Sequence, residues 1–251
     1  MINLKGKTAL ITGGSAGLGA SVARQLAAEG VNIAINYANS KEQRAEELVQ
    51  ELKSEHGIKS IAIQGDVFDT SNICKLVEET VEKLGGLDIV ISNAGWTKMV
   101  PFENLEELDE EIWDGTFSAN VKAHFFLFKA AKAIFDQNEE GGVFIASASV
   151  AGRIPYGSSI PYAVSKAALI HLVKALAKSQ GPKCRVHAVC PGLLLTEWGK
   201  RFPQEKINRT KEMSPIKEIT DVDECAVQFV TLCKLKTSTG SIIAMDAGIS
   251  I

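Results

Sequence analysis

A short apolar run, Lys7-Thr8-Ala9-Leu10-Ile11-Thr12, leads straight into Gly13-Gly14-Ser15-Ala16-Gly17-Leu18-Gly19 and then into a helical run from Ala20 to Gly30. Strand, glycine-rich turn and helix in that order are the context that a dinucleotide-binding fingerprint requires. The glycines meet different needs: a tight turn at Gly13, close approach of backbone to a pyrophosphate near Gly17, and close helix–strand packing at Gly19. The helix beyond them offers free N–H groups and a positive dipole end to phosphates. A glycine triplet also occurs as a plain tight connection, and the spacing Thr12-Gly13-x-x-x-Gly17-x-Gly19 departs from the usual G-x-G-x-x-G.

The rest of the chain keeps the same alternation. Helical stripes at Ala45, Leu48, Val49 and Leu52 and at Ile73, Leu76, Val77, Val81 and Leu84 are separated by apolar strands such as Ile89-Val90-Ile91. This predicts a Rossmann-like, doubly wound α/β fold with a parallel sheet and helices on both faces. With 251 residues, 45% of them hydrophobic, the chain fits a single domain over 1–251 better than two. A formal net charge of −3 gives no reason to expect nucleic acid as a partner. No apolar run reads as long enough to span a membrane, and the first strand begins almost at Met1, so a cytoplasmic protein is expected. The five cysteines, Cys74, Cys184, Cys190, Cys225 and Cys233, are odd in number and lack zinc-ligand spacing, and the four histidines form no metal pattern. Reduced thiols and no metal are the expectation.

The chemistry is carried by Ser149, Tyr162 and Lys166. Tyr162-Ala163-Val164-Ser165-Lys166 opens an alanine-rich helical run, so the phenol and the ammonium stack on one face four positions apart. A free phenol titrates near about 10, and a fixed ammonium close by is expected to draw it down towards a useful range. Ser149 follows the buried strand Gly142 to Ala146 and can set a hydroxyl beside the phenol. Together they suit a carbonyl oxygen that becomes an alkoxide. YxxxK alone also occurs as a solvated pair on many helices, so the pattern gains its weight from the N-terminal turn.

Joined to Asn93-Ala94-Gly95 after the strand Leu87 to Ile91, and to Pro191-Gly192, these motifs make the chain similar to the classical short-chain dehydrogenase/reductase family, 3-oxoacyl reductases among them. The resemblance runs from about Leu4 to Gly248. It implies that Tyr162 is the acid/base, that Lys166 lowers its pKa and contacts the nicotinamide ribose, and that Ser149 orients the substrate carbonyl. Asn120 matches the family's fourth member, which holds a water in the proton relay. By the same resemblance the cofactor is bound by Gly13, Ser15, Gly17, Leu18 and Gly19, by Tyr37, Asn39 and Ser40, by Asp66 and Val67 at the adenine, and by Asn93, Ala94 and Gly95. Tyr162, Lys166, Pro191, Gly192, Leu194 and Thr196 complete that set. Two departures lie away from these groups: His187 where the family often has asparagine, and a loop at Gly181-Pro182-Lys183-Cys184 one residue short.

The second strand, read as Val31 to Ile35, ends in Asn36-Tyr37-Ala38-Asn39-Ser40 without the acid that accepts hydrogen bonds from an NAD ribose. A helix starting at Ser40, with Gln43 placed as in a capping box, turns donors and a positive dipole end towards that region, which favours NADP(H) over NAD(H). The arginine common near Ala16 or Asn39 in NADP-using relatives is missing. Substrate choice is expected in the segment 193–219, with Trp96, Met99, Tyr156, Trp198 and Phe202 as walls. Phe126 stands where reductases of acyl-carrier-protein substrates tend to carry arginine, which points to a free small molecule. The expected function is NADPH-dependent reduction of a ketone or aldehyde; an NAD-dependent alcohol dehydrogenase and a non-catalytic nucleotide-binding scaffold are the alternatives. Phe125, Phe126 and Phe128 fall on more than one face of a helix read from Glu111 to Asp136, and one stripe cannot bury all three, so a homotetramer, otherwise a homodimer, is expected.

Overall fold

The computed structural model describes residues 1–38 and 42–251. Its strands are β1 (Thr8–Ile11), β2 (Asn32–Tyr37), β3 (Ser60–Gln64), β4 (Ile89–Ser92), β5 (Gly142–Ser147), β6 (Cys184–Pro191) and β7 (Ile242–Met245). They form one parallel sheet in the order β3-β2-β1-β4-β5-β6-β7. The helices are α1 (Gly17–Ala28), α2 (Glu42–His56), α3 (Thr70–Leu84), α4 (Glu110–Phe117), α5 (Ala123–Phe135), α6 (Ile160–Ser179), α7 (Gln204–Met213) and α8 (Val222–Lys234). The fold is thus a single doubly wound α/β domain.

Because successive strand residues face opposite ways, each strand feeds two cores. Ala9, Ile11, Ile33, Ile35 and Ile145 pack with α1, α2 and α8, while Leu10, Ala34, Val90, Phe144 and Ala188 pack with α3, α5 and α6. Side-chain caps fix where several helices begin. Asp69 accepts from Ser71 N at 2.9 Å, Asp109 from Ile112 N at 2.8 Å and Asp221 from Glu224 N at 2.9 Å. The chain leaves β1 and β4 towards opposite halves of the sheet, and a crevice opens at this switch point, beyond the strands' C-terminal ends.

Three differences from the sequence reading matter. β2 continues to Tyr37 rather than stopping at Ile35, because the Asn36 amide finds a buried partner in Gly65 O at 2.9 Å. The helix read from Glu111 to Asp136 is interrupted by a π segment, Ser118–Lys122, which widens the turn around Asn120. Contrary to the expectation from the sequence, α6 is long and apolar enough to cross a membrane. It is nevertheless a core helix here: Leu169, Ile170, Val173 and Leu176 are buried against the sheet, and the ammonium of Lys166 is buried with them.

Candidate active site

The crevice is a cleft of about 460 Å³. Gly13, Ser15, Gly17 and Leu18 line one end with Tyr37, Asp66 and Val67, and Ser149, Tyr162 and Lys166 line the other with Pro191, Gly192, Leu194 and Thr196. Asn93, Ala94 and Gly95 lie between. Gly13 has φ 60°, and a β-carbon there would stand 3.2 Å from Ala94 Cα. At Gly19 a β-carbon would come within 2.5 Å of Gly13 O, so α1 closes on the turn only with glycine there; Gly19 itself does not reach the cleft. The residue capping α1, Ala16, makes no side-chain bond to the helix, which leaves first-turn N–H groups for an anion. Thr12 and Asn93 tie the strand ends together: Thr12 Oγ1 accepts from the N–H groups of Asn93 and Ala94, and Asn93 Oδ1 accepts from Ser147 Oγ at 3.0 Å. A glycine cradle, an open helix N-terminus and a long cleft fit a nicotinamide dinucleotide.

At the other end, each polar group has a structural reason for its place. Ser149 follows β5, and its Oγ accepts from Ala151 N at 3.1 Å, capping a short 3-10 turn. Ser159 caps α6 by accepting from Tyr162 N at 3.4 Å, which starts the helix so that Tyr162 faces the cleft. One turn later the buried Lys166 donates to Ser147 O at 2.8 Å, its Nζ 5.6 Å from the centroid of the Tyr162 ring. Burial pushes the Tyr162 phenol up to about 12, against a lowering by its hydrogen bond with Ser149, while the Cys190 thiol adds to the rise. Burial pulls Lys166 down to about 8. The sequence expectation that the ammonium would draw the phenol down is not met in this cleft: burial raises the phenol, and the downward contribution comes from Ser149. Asn120 is buried behind the cleft rather than in it. Its Oδ1 accepts from Trp96 N and its Nδ2 donates to Trp96 O, both at 2.9 Å, and to Ser165 Oγ at 3.1 Å.

A family model described as Enoyl-(Acyl carrier protein) reductase matches residues 13–250. A sorbose reductase of Schizosaccharomyces pombe is 34% identical, the match covering 99% of this chain and 97% of that protein. The 3-oxoacyl-(acyl-carrier-protein) reductase FabG of Staphylococcus epidermidis is 32% identical over 96% of this chain and 98% of its own. This chain belongs to the short-chain dehydrogenase/reductase family. It is accordingly a nicotinamide-dependent oxidoreductase that acts on CH–OH or C=O groups of small molecules. Among solved structures, a short-chain dehydrogenase from Burkholderia cenocepacia in complex with NADP superposes with a TM-score of 0.91 at 30% identity over 100% of both chains. A 7α-hydroxysteroid dehydrogenase complexed with NADH and 7-oxo glycochenodeoxycholic acid gives 0.90 at 28% identity over 98% of this chain and 95% of that one.

Within this family frame several sequence expectations move. Asn39 and Ser40, and with Ser40 the proposed capping box, lie outside the described residues. Asn36 is buried and braces the glycine turn, accepting from Gly13 N at 3.4 Å, and it lines the cleft together with Tyr37 and with Ala38 just beyond β2. Trp96 and Met99 do not line the cleft; Asn120 grips the main chain of Trp96, and the indole packs edge-on against Phe68 at 6.4 Å. Tyr156, Trp198 and Phe202 do line it. Two cations escaped the sequence reading. Arg44 of α2 lies beside Ala16 and Gly17, paired with Glu197 at 2.6 Å, and Lys206 of α7 enters the far end of the cleft. Neither belongs to a motif; both are brought in by helices folding back over the turn and the cleft.

Proposed function

We propose that this protein is an NADPH-dependent carbonyl reductase in which Tyr162 delivers the proton. The observation that carries the reading is the arrangement of Ser149, Tyr162 and Lys166 at one end of the cleft, with the phenol hydrogen-bonded to Ser149 and the Lys166 ammonium 5.6 Å from its ring centroid; burial raises the phenol's pKa and keeps it a proton donor. When bound, the nicotinamide supplies the hydride to the carbonyl carbon. Ser149 donates to the carbonyl oxygen and orients it, and Tyr162 transfers its phenolic proton to the same oxygen as the C=O bond becomes C–OH. Lys166, anchored on Ser147 O, would offer its remaining donors to the nicotinamide ribose and, one turn from Tyr162, would offset negative charge on the phenol oxygen as the proton leaves. Asn120 positions Trp96 and α6 around these groups. The segment 193–219 closes the substrate end.

NADP(H) as the preferred cofactor rests on the absence of an acid at the end of β2 and on Arg44 beside the glycine turn. The dehydrogenase neighbour complexed with NADH keeps a second reading in view, NAD-dependent alcohol oxidation by the same residues. Unpaired thiols, four of them buried, favour a reducing compartment such as the cytosol. The test is NADPH absorbance over a panel of ketones and aldehydes, with NADH in parallel. Tyr162→Phe keeps the ring and removes the proton; it should lower kcat at least about 100-fold with cofactor affinity little changed. A variant that keeps half the wild-type rate would sink the assignment.

A further inference from the structure

The far wall of the cleft holds a cation that none of these roles uses. Lys206 places its ammonium 4.6 Å from the ring centroid of Phe202 and 5.3 Å from that of Tyr156, and donates to Gly157 O at 2.7 Å. Phe202, Tyr156, Gly157 and Lys206 all line the cleft. Tyr156 is fixed in turn by a 2.6 Å bond between its hydroxyl and Thr210 Oγ1, so the two rings form a braced cage. Gly157 lies against the phenol as well: a β-carbon there would stand 3.5 Å from Cδ1 of Tyr162. Gly157 thus sits between the cation, which its carbonyl binds, and the ring of Tyr162.

Among the described residues no carboxylate comes within 4.0 Å of this ammonium. Burial holds Lys206 below the ordinary lysine range, with Glu103 opposing from farther off and Arg209 adding to the fall. An uncharged side chain would pack between two rings without that desolvation cost, so the charge calls for a reason beyond packing. An ammonium has three donors, and Gly157 takes one. What is left faces an apolar-walled cleft beside the reacting group.

We propose that Lys206 recognises the substrate, and that the preferred substrate is a ketone or aldehyde carrying a carboxylate, seated on Lys206 while its carbonyl meets Ser149 and Tyr162. This rests on the carbonyl-reductase reading. The test uses oxo acids of increasing separation between carbonyl and carboxylate, each paired with its primary amide, in NADPH oxidation by the wild type and Lys206→Met. The acid of best length should exceed its amide in kcat/KM by at least about 30-fold, mostly through KM, as expected for a partly desolvated charge pair. Lys206→Met keeps the length and apolar packing and should bring that ratio to within about threefold. A wild type that treats acids and amides alike, or a variant that loses both equally, overturns the proposal while leaving carbonyl reduction standing. If Lys206→Met does not fold, the wild-type ratio alone decides. Failure of the wild type to turn over any carbonyl compound would overturn both readings.

Discussion

Adjacent residues on one strand carry separate duties at the end of β2. Both Asn36 and Tyr37 line the cleft, but the Asn36 amide is already committed, donating to Gly65 O and accepting from Gly13 N. Asn36→Asp removes the donor and sets a carboxylate against a carbonyl oxygen, which should cost about 1–3 kcal/mol of stability. Tyr37→Asp instead puts the charge where a ribose 2′-phosphate would lie, and should lower the NADPH/NADH ratio of kcat/KM at least about tenfold. Denaturant melts and paired kinetics check both, and an unchanged melt for Asn36→Asp would refute its bracing role. The missing acid was legible in the sequence. That Asn36 braces the turn was not, because its partners, Gly13 and Gly65, lie 23 and 29 positions away. Proton linkage gives another check. The Lys166 ammonium titrates near 8 in the fold against a reference of 10.5, so between those values the unfolded chain binds more protons and the contribution to stability rises with pH. Tyr162 works the other way, its contribution falling between 10 and about 12. Wild type should therefore gain stability relative to Lys166→Met from pH 8 to 10, and a constant difference in denaturation midpoint would show that the lysine is not desolvated.

Among the elements, the π segment Ser118–Lys122 does most to assemble the site from separate parts of the chain. Its extra residue lets the fully buried Asn120 bond both main-chain groups of Trp96 and the hydroxyl of Ser165, joining the loop after β4 to α6. Asn120→Ala leaves those groups without partners and should cost about 2–4 kcal/mol. Faster amide exchange at Gly95 to Thr97 and a lower kcat should accompany the loss; normal exchange there would refute this bracing role. Buried helix faces were legible, since Ala45, Leu48, Val49 and Leu52 on α2 and Ile73, Leu76, Val77 and Leu84 on α3 are all buried. The π turn was not. Hydrophobic spacing reports which face of a helix is buried, while this insertion answers to a partner 24 positions away, Trp96. The same reason hid Lys206 and Arg44, whose neighbours are distant in sequence.

For the whole molecule, the apolar surface left on α5 and α6 bears on assembly. Phe128 is buried edge-on against Phe144, but Phe125 and Phe126 stay 38% and 36% exposed with ring centroids 5.4 Å apart, and Val164 on α6 is 42% exposed. Two neighbouring phenylalanines in water on a helix that already buries its core face call for cover. A second surface lies at the sheet edge, where all four residues of β7 are only partly buried and the chain continues to an exposed Ile251. One self-complementary face closes a dimer, and two different faces close a tetramer of dihedral symmetry. We predict a homotetramer, for which light scattering at micromolar concentration reads about four times the 27.0 kDa chain mass. Phe126→Glu places a charge in the α5 contact and should reduce that reading to half or less, because burying the carboxylate without a partner outweighs the remaining apolar area. A wild type that scatters as a monomer at high concentration would refute the assembly, and a tetramer indifferent to Phe126→Glu would move its interface away from α5.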